Sequence, residues 1–148
     1  MSAKNSGFTL IELLVVIAII ALMSSIVLVS ISTAREKSRN AKRVSDMTQL
    51  QKAMDLYFND NGTYPTLSSG MALSSWNSSI LVPKYLKAVP VTVLPADPGC
   101  TATNDYYMQP NVAGSQFVTS TFIVTFCISG QVGTLPAGQH TITQLGIQ

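Results

Sequence analysis

An apolar run from Phe8 to Ile31 contains a single ionisable residue, Glu12. The part that follows it, Leu13 to Ile31, is nineteen residues long and is interrupted only by three serines. A helix of about 20 apolar residues crosses the hydrocarbon core of a bilayer. A carboxylate is costly to bury there and is seldom kept without a function. The run therefore predicts a membrane-spanning helix in which the role of Glu12 has to be explained.

Two ordinary membrane segments account for only part of this pattern. A secretory signal peptide would use Lys4 and a cleavage site near residues 32–34, but the run is about twice as long as the usual apolar core of roughly 7–15 residues. A plain membrane anchor fits the length of the run. It explains neither Glu12 nor the abrupt junction between Gly7 and Phe8.

The segment G-F-T-L-I-E-L-L, residues 7–14, resembles the class III signal of type IV prepilins and type II secretion pseudopilins. The resemblance implies that a membrane aspartyl protease, the prepilin peptidase, cuts between Gly7 and Phe8 and methylates the new amine of Phe8. The apolar helix then stays on the chain. We expect Glu12 of one subunit to pair with the Phe8 amine of its neighbour, because an unpaired carboxylate would be penalised in a packed bundle.

The charge distribution is unusual in amount and in place. Only 11% of the residues are charged, against roughly 25% in globular proteins, and 47% are hydrophobic. Basic residues cluster directly after the apolar run and are opposed only by Glu36: Arg35, Lys37, Arg39, Lys42 and Arg43. They can contact DNA or anionic lipid, but an interfacial collar or salt bridges between packed subunits is the simpler interpretation, and nucleic-acid binding is not expected. The positive-inside rule alone would place the C-terminal part in the cytoplasm, whereas the resemblance implies the opposite orientation.

The helical pattern continues beyond the apolar run. From Ala34 to Asn59 there is no Gly or Pro, and apolar residues recur at spacings of three and four, which predicts one buried helix face. These positions are Ala41, Val44, Met47, Leu50, Met54 and Phe58. Gly62 is a good C-cap and Pro65 prevents an immediate restart. We therefore expect one helix from about Thr9 to about Asn61.

The remaining residues predict a small sheet. Residues 66–98 have a loop-like composition, with a possible short helix over Ile80–Lys87, and the N-G-x-Y-P segment before them strengthens the resemblance to pilins. Strand patterns lie at Asp105–Gln109, Phe117–Ser129 and Thr141–Ile147, with a turn at 130–133. The expected fold is α+β and pilin-like: one long N-terminal α-helix packed on a small antiparallel β-sheet. The expected divisions are a leader (1–7), a transmembrane and polymerisation helix (8–33), its amphipathic half (34–62) and a globular domain (63–148).

Two cysteines, Cys100 and Cys127, form a disulfide if the domain is exported, and are two unrelated thiols if it is cytosolic. The single histidine, His140, leaves no catalytic constellation and is expected in a turn or at the surface. Asp97 and Asp105 flank a polar loop and are weak calcium candidates. Two aspartates in such a loop are more often simply solvated, so no cofactor is expected.

The expected function is therefore a structural subunit, not an enzyme: a pilin of a type IV pilus or related filament. The resemblance implies a helical homo-oligomer, a prepilin peptidase, an assembly ATPase and an inner-membrane platform protein. The chain would be a single-pass cytoplasmic membrane protein before assembly and an extracellular or periplasmic filament afterwards. Two alternatives stay open. One is a type II secretion pseudopilin that forms a periplasmic pseudopilus, and the other is a membrane-anchored protein that captures DNA or a surface.

Overall fold

The computed structural model describes residues 7–76, 78–94, 99–100, 106–113 and 116–148. One helix, α1, covers Leu10–Asn61 and contains 52 residues. The chain divides into two compact units, Met1–Arg35 and Glu36–Gln148. The prediction of a single long helix is confirmed.

The helix ends where the sequence predicts. Gly62 follows the last helical residue with φ at 72°, in the left-handed region that favours glycine. Its backbone N–H donates to the carbonyl oxygen of Phe58 at 2.7 Å. This bond satisfies one of the carbonyls that a helix C-terminus leaves without a partner.

In the part of the chain that the structure describes, seven short strands follow α1. They are β1 (Met71–Ala72), β2 (Tyr107–Met108), β3 (Val112–Ala113), β4 (Gln116–Phe117), β5 (Val124–Ile128), β6 (Gly138–Thr143) and β7 (Gly146–Ile147). Five of them form an antiparallel sheet in the order β1-β2-β5-β6-β7, and β3 pairs with β4 in a separate hairpin. The longest pairing is β5 with β6, in which Val124 lies opposite Ile142 and Phe126 opposite His140.

The core of the second unit lies between α1 and one face of the sheet. Met47, Leu50 and Met54 of α1 are completely buried. They belong to one cluster with alternate residues of β5, together with Ile142 and loop residues that include Leu73, Trp76 and Leu81. The expected packing of a helix stripe on an antiparallel sheet is therefore confirmed. Ala41 and Phe58, at the two ends of the predicted stripe, are instead classed as exposed.

The predicted helix over Ile80–Lys87 is wrong. The structure has 3-10 turns at Leu73–Ser75 and Ser78–Ile80, followed by a single turn in which the N–H groups of Tyr85 and Leu86 donate to Leu81 O. Pro83 lies inside this segment and supplies no N–H, so a regular helix cannot continue through it. Tyr85 and Leu86 still pack against the core, as expected.

Each predicted strand segment contains at least one observed strand, but the predicted bounds are too wide or join separate strands. Phe117–Ser129 is not one strand, because Phe117 pairs with Val112 in the small hairpin and the central strand begins only at Val124. Thr141–Ile147 spans two strands, β6 and β7, joined by a turn before Gly146, whose φ is 110°. Of Asp105–Gln109, only Tyr107–Met108 is a strand, and Asp105 lies outside the described residues.

Candidate functional site

Glu12 is held by Thr9 at the start of α1. Its Oε2 accepts hydrogen bonds from the backbone N–H of Thr9 at 2.8 Å and from Thr9 Oγ1 at 2.6 Å. The backbone N–H of Glu12 in turn donates to Thr9 Oγ1 at 3.3 Å. Thr9 is the residue before the first helical residue and Glu12 is the third helical residue. The arrangement is therefore a capping box, in which two side chains satisfy backbone groups at the helix start.

The capping box fixes where the helix begins relative to the expected cleavage site. Gly7, Phe8 and Thr9 lie outside α1 and are exposed. A Cβ placed on Gly7 would meet no atom within 4 Å, and Phe8 is 80% exposed. The bond between Gly7 and Phe8 therefore lies in an exposed, non-helical segment.

The first unit presents an apolar surface. The side chains described between Leu10 and Met23 are exposed, and so is Ile31. Among the described residues, α1 is a helix that is both long enough and apolar enough to cross a membrane. Length and composition alone would suit a signal sequence equally well. The capping box on Glu12 is a feature that a plain apolar segment lacks.

The basic cluster after the apolar run is not a uniform cationic patch. Arg43 is 1% exposed, and its guanidinium donates to Asn40 Oδ1 at 2.8 Å and to Val93 O at 3.2 Å. Lys42 Nζ lies 3.1 Å from Asp46 Oδ2. Glu36 is turned to Ser129, whose hydroxyl donates to its Oε1 at 2.8 Å. Arg43 and Lys42 of the basic cluster therefore form hydrogen bonds and an ion pair within the second unit.

Asp46 is, like Arg43, a charged residue of α1 that is buried in the second unit. It is 7% exposed, and Tyr106 Oη donates to its Oδ2 at 3.0 Å. The backbone N–H of Tyr106 donates to Thr92 Oγ1 at 3.1 Å. Tyr106 thus connects the helix to the loop before Pro95. The amphipathic pattern alone would have placed Asp46 in solvent.

Cys100 and Cys127 form the disulfide that the exported interpretation predicted. Cys100 is buried and Cys127 is part of β5, so the bridge attaches the segment before β2 to the central strand. The two calcium candidates, Asp97 and Asp105, lie outside the described residues. In the part of the chain that the structure describes, no three His, Cys, Asp or Glu side chains form a group able to hold a metal ion.

The expectation for His140 is wrong. It lies in β6, is 7% exposed, and its ring centroid is 5.7 Å from that of Phe126. Its two ring nitrogens face the carbonyl oxygens of Pro136 at 2.8 Å and Gln148 at 3.2 Å. His140 therefore has a structural role in the strand pair β5–β6.

Two acidic groups near the end of α1 pair with the loop that follows. Tyr64 Oη donates to Asp55 Oδ1 at 2.9 Å, and burial together with this bond and the charge of Asp55 raises the pKa of Tyr64 to about 12. Lys84 Nζ lies 2.7 Å from Asp60 Oδ2, to which Tyr85 Oη also donates. Hydrogen bonds from Lys84 and Tyr85, with the charge of Lys84, lower the pKa of Asp60.

Comparison with protein families assigns both parts of the chain. The family described as "Prokaryotic N-terminal methylation motif" matches residues 2–28. The family described as "Type II secretion system (T2SS), protein G" matches residues 30–122, which include the second half of α1, strands β1 and β2 and the β3–β4 hairpin, and end before β5. The chain belongs to the type II secretion system protein G family. Of the two filament interpretations, these matches favour the pseudopilin alternative over the type IV pilus.

Individual relatives agree with this assignment. The chain is 37% identical over 107 residues to type II secretion system core protein G of Escherichia coli (strain K12), covering 71% of this chain and 72% of the relative. It is 34% identical over 114 residues to the core protein G of Vibrio cholerae, covering 76% of each. The protein of the same name from Pseudomonas aeruginosa is 30% identical over 99 residues, covering 60% of this chain and 67% of the relative. No solved structure matches the chain.

Membership of this family has three direct consequences. The chain is a non-enzymatic subunit of the pilin and pseudopilin type. The family implies assembly into a filament and processing by a prepilin peptidase. The apolar helix and the methylation motif together indicate membrane anchoring.

Glu12 stands out in the sequence as a lone charge, whereas its partner Thr9 does not. The signal was present, because T-L-I-E at residues 9–12 has the Ser/Thr-x-x-Glu spacing of a capping box directly before an apolar run.

Proposed function

We propose that this protein is the core pseudopilin of a type II secretion system. It is anchored in the cytoplasmic membrane by its apolar helix, is cut after Gly7, and polymerises into a pseudopilus on the periplasmic side. The observation that carries the proposal is the protein G family match over residues 30–122. That match begins at residue 30, in the second half of α1, so it does not depend on the short leader pattern.

Processing at Gly7 and Phe8 is supported by the local structure. Two residues, Phe8 and Thr9, separate the bond from the first helical residue, and the bond lies in an exposed segment. Cutting there removes residues 1–7 and leaves Phe8 as the first residue, with an amine that the peptidase methylates. The capping box remains on the mature chain because Thr9 and Glu12 both follow the cut.

Glu12 is proposed to set the register between neighbouring subunits. Its Oε2 is occupied by Thr9, whereas its Oε1 accepts no hydrogen bond from the part of the chain that the structure describes. An ionised carboxylate has room for several donors. The amine of a neighbour's Phe8 can therefore bind at Oε1 while the capping box stays intact. Such a charge pair specifies position, and apolar packing supplies most of the cohesion.

Cohesion of the pseudopilus is proposed to come from the apolar helix and not from the sheet. The exposed apolar side chains of residues 8–25 need a covering, either lipid or other copies. The edges of the five-stranded sheet are β1 and β7, which have two residues each. Edges this short are poor templates for adding a strand from another chain.

The implied partners are further copies of this chain, a prepilin peptidase, an assembly ATPase and an inner-membrane platform protein. The proposed divisions are a leader of residues 1–7, a transmembrane and polymerisation helix over 8–33, its amphipathic continuation over 34–62, and a globular domain over 63–148. Energy for assembly would come from the ATPase, which acts on the far side of the membrane from the globular domain.

The deciding experiment combines mass spectrometry with a secretion assay. In the host strain, the mature chain should begin with N-methyl-Phe8, and inactivating the peptidase should restore the full mass. Deleting the gene should block release of secreted enzymes into the medium, and a plasmid copy should restore it. A chain that begins at Met1, or after Ala34, contradicts the processing. Normal secretion with loss of long surface fibres identifies a type IV pilus subunit instead.

A further inference from the structure

The carboxylates of the described residues all have partners inside the chain. Those of Glu12 and Glu36 accept from Thr9 and Ser129. Asp46 pairs with Lys42, Asp55 with Tyr64, and Asp60 with Lys84. The ion pairs that these carboxylates form, within the described part of the chain, use Lys42 and Lys84.

Two other positive groups follow the apolar run directly. Arg35 and Lys37 are exposed and have no partner among the described residues. The one acid between them, Glu36, accepts a hydrogen bond from Ser129 and forms no ion pair with either of them among the described residues. Arg35 lies four residues beyond Ile31, which on an α-helix is about 6 Å along the axis. Long basic side chains at this distance from an apolar segment reach the interface of a bilayer.

The positions of the two residues on α1 distinguish between possible partners. Consecutive residues of an α-helix are rotated by about 100°, so Arg35 and Lys37 point to nearly opposite sides of the helix. A protein or nucleic-acid surface that docks on one side meets only one of them. A membrane surrounds an emerging helix and meets both.

We infer that Arg35 and Lys37 bind the headgroups of anionic phospholipids around α1 while the subunit is stored in the membrane. This rests on the proposed function, because it requires residues 8–31 to be embedded. The pair then holds the helix at a defined depth, with the apolar run in the hydrocarbon and the cations among the phosphates. Binding weakens as salt screens the charges.

The chain offers a matched control. Lys52 and Lys87 are also exposed and without a partner among the described residues, but they do not adjoin the apolar run. The variant R35Q/K37Q and the variant K52Q/K87Q remove the same charge from the chain. Only the first removes charge from the proposed lipid contact. Fluorescence of Trp76, which is buried in the core of the second unit, verifies that both variants are folded.

The test uses the full chain reconstituted in phosphatidylcholine bilayers that contain trace spin-labelled phosphatidylglycerol or phosphatidylcholine. Electron spin resonance gives the fraction of each lipid that is motionally restricted by the protein. The native chain should prefer phosphatidylglycerol by up to about fivefold for each of the two cations at low salt, and less at high salt. R35Q/K37Q should lose the preference and K52Q/K87Q should keep it.

Three results would overturn the inference. The first is a native chain that restricts both lipids equally. The second is an equal loss of preference in both double variants. The third is a preference that is unchanged in R35Q/K37Q while cross-linking between copies in pure phosphatidylcholine falls, which would make a second copy the partner. If no lipid is restricted at all, the helix is not embedded and the proposed anchoring fails as well.

Discussion

Asn40, in the helix, is hydrogen-bonded to Ser129, which lies 89 residues later and directly follows β5. Asn40 Nδ2 donates to Ser129 Oγ at 3.1 Å, and the backbone N–H of Ser129 donates to Asn40 Oδ1 at 3.2 Å. The same Oδ1 accepts from the guanidinium of Arg43 at 2.8 Å. One amide therefore joins the central strand, a buried cation and α1, and Asn40 itself is 2% exposed.

Asn40→Ala should lower the free energy of unfolding of the second unit by about 2–3 kcal/mol. The substitution leaves donors of Ser129 and Arg43 without their acceptor in a buried site, and an unsatisfied buried donor costs roughly 1–3 kcal/mol, more when it is charged. Urea unfolding of the full chain in mild detergent, followed by Trp76 fluorescence, measures the change. Ser38→Ala, at an exposed position of the same helix, should change it by less than about 0.5 kcal/mol. Equal effects of the two substitutions would contradict this role of Asn40.

Removing the disulfide with Cys100→Ser and Cys127→Ser together should cost about 3–4 kcal/mol. The bridge joins residues 27 positions apart, and closing a loop of that length restricts the unfolded chain by this amount in the chain-entropy model. The same urea experiment with and without a reducing agent measures it. Reductant should destabilise the native chain and leave the double serine variant unchanged. A native chain that is insensitive to complete reduction would show that the bridge contributes little.

The features that could be predicted from the sequence are those that depend on neighbours in the chain. The helix and its end at Gly62 follow from local periodicity and from one glycine. Strand limits depend on partners far away: β1 exists because Met71 pairs with Met108, and nothing within residues 66–76 indicates it. Arg43 is buried because the carbonyl of Val93, fifty residues later, accepts from it. An amphipathic pattern assigns such a residue to solvent.

The candidate site divides in the same way. Glu12 is conspicuous because its charge conflicts with its surroundings, and Thr9 could have been found because the capping box is local. The burial of His140 could not have been predicted from neighbouring residues. It depends on the register of β5 and β6, which places His140 opposite Phe126. The position of the proposed N-terminal processing site is thus a local property of the sequence, whereas the packing of the globular unit depends on tertiary contacts.

The phenol of Tyr64 should lose its proton at a higher pH than a free tyrosine does. Its pKa is raised to about 12 by burial and by Asp55, compared with about 10 in an unfolded chain. The stabilising effect of the neutral phenol is complete below about pH 10 and is lost as the pH rises toward 12, because only the unfolded chain releases the proton in that range. An absorbance titration at alkaline pH should show one late phenolate that is missing in Tyr64→Phe. The unfolding free energy of the variant should also fall less between pH 10 and pH 12, and an equally steep fall would contradict the assignment.

Glu12→Ala should leave membrane insertion and cleavage after Gly7 intact and reduce the yield or order of filaments. The reason is that Oε1 of Glu12 is the proposed acceptor for the Phe8 amine of a neighbour, while Oε2 is bound to Thr9. Glu12→Gln separates the two roles, since its amide oxygen can still accept from the Thr9 N–H but carries no charge. If the charge pair sets the register, Gln should assemble as poorly as Ala. If capping of the helix is sufficient, Gln should assemble like the native chain.

Mass spectrometry of the mature N-terminus controls for processing, and electron microscopy of filaments sheared from the cells measures yield and order. Normal filaments from Glu12→Ala chains would show that Glu12 has no role in assembly.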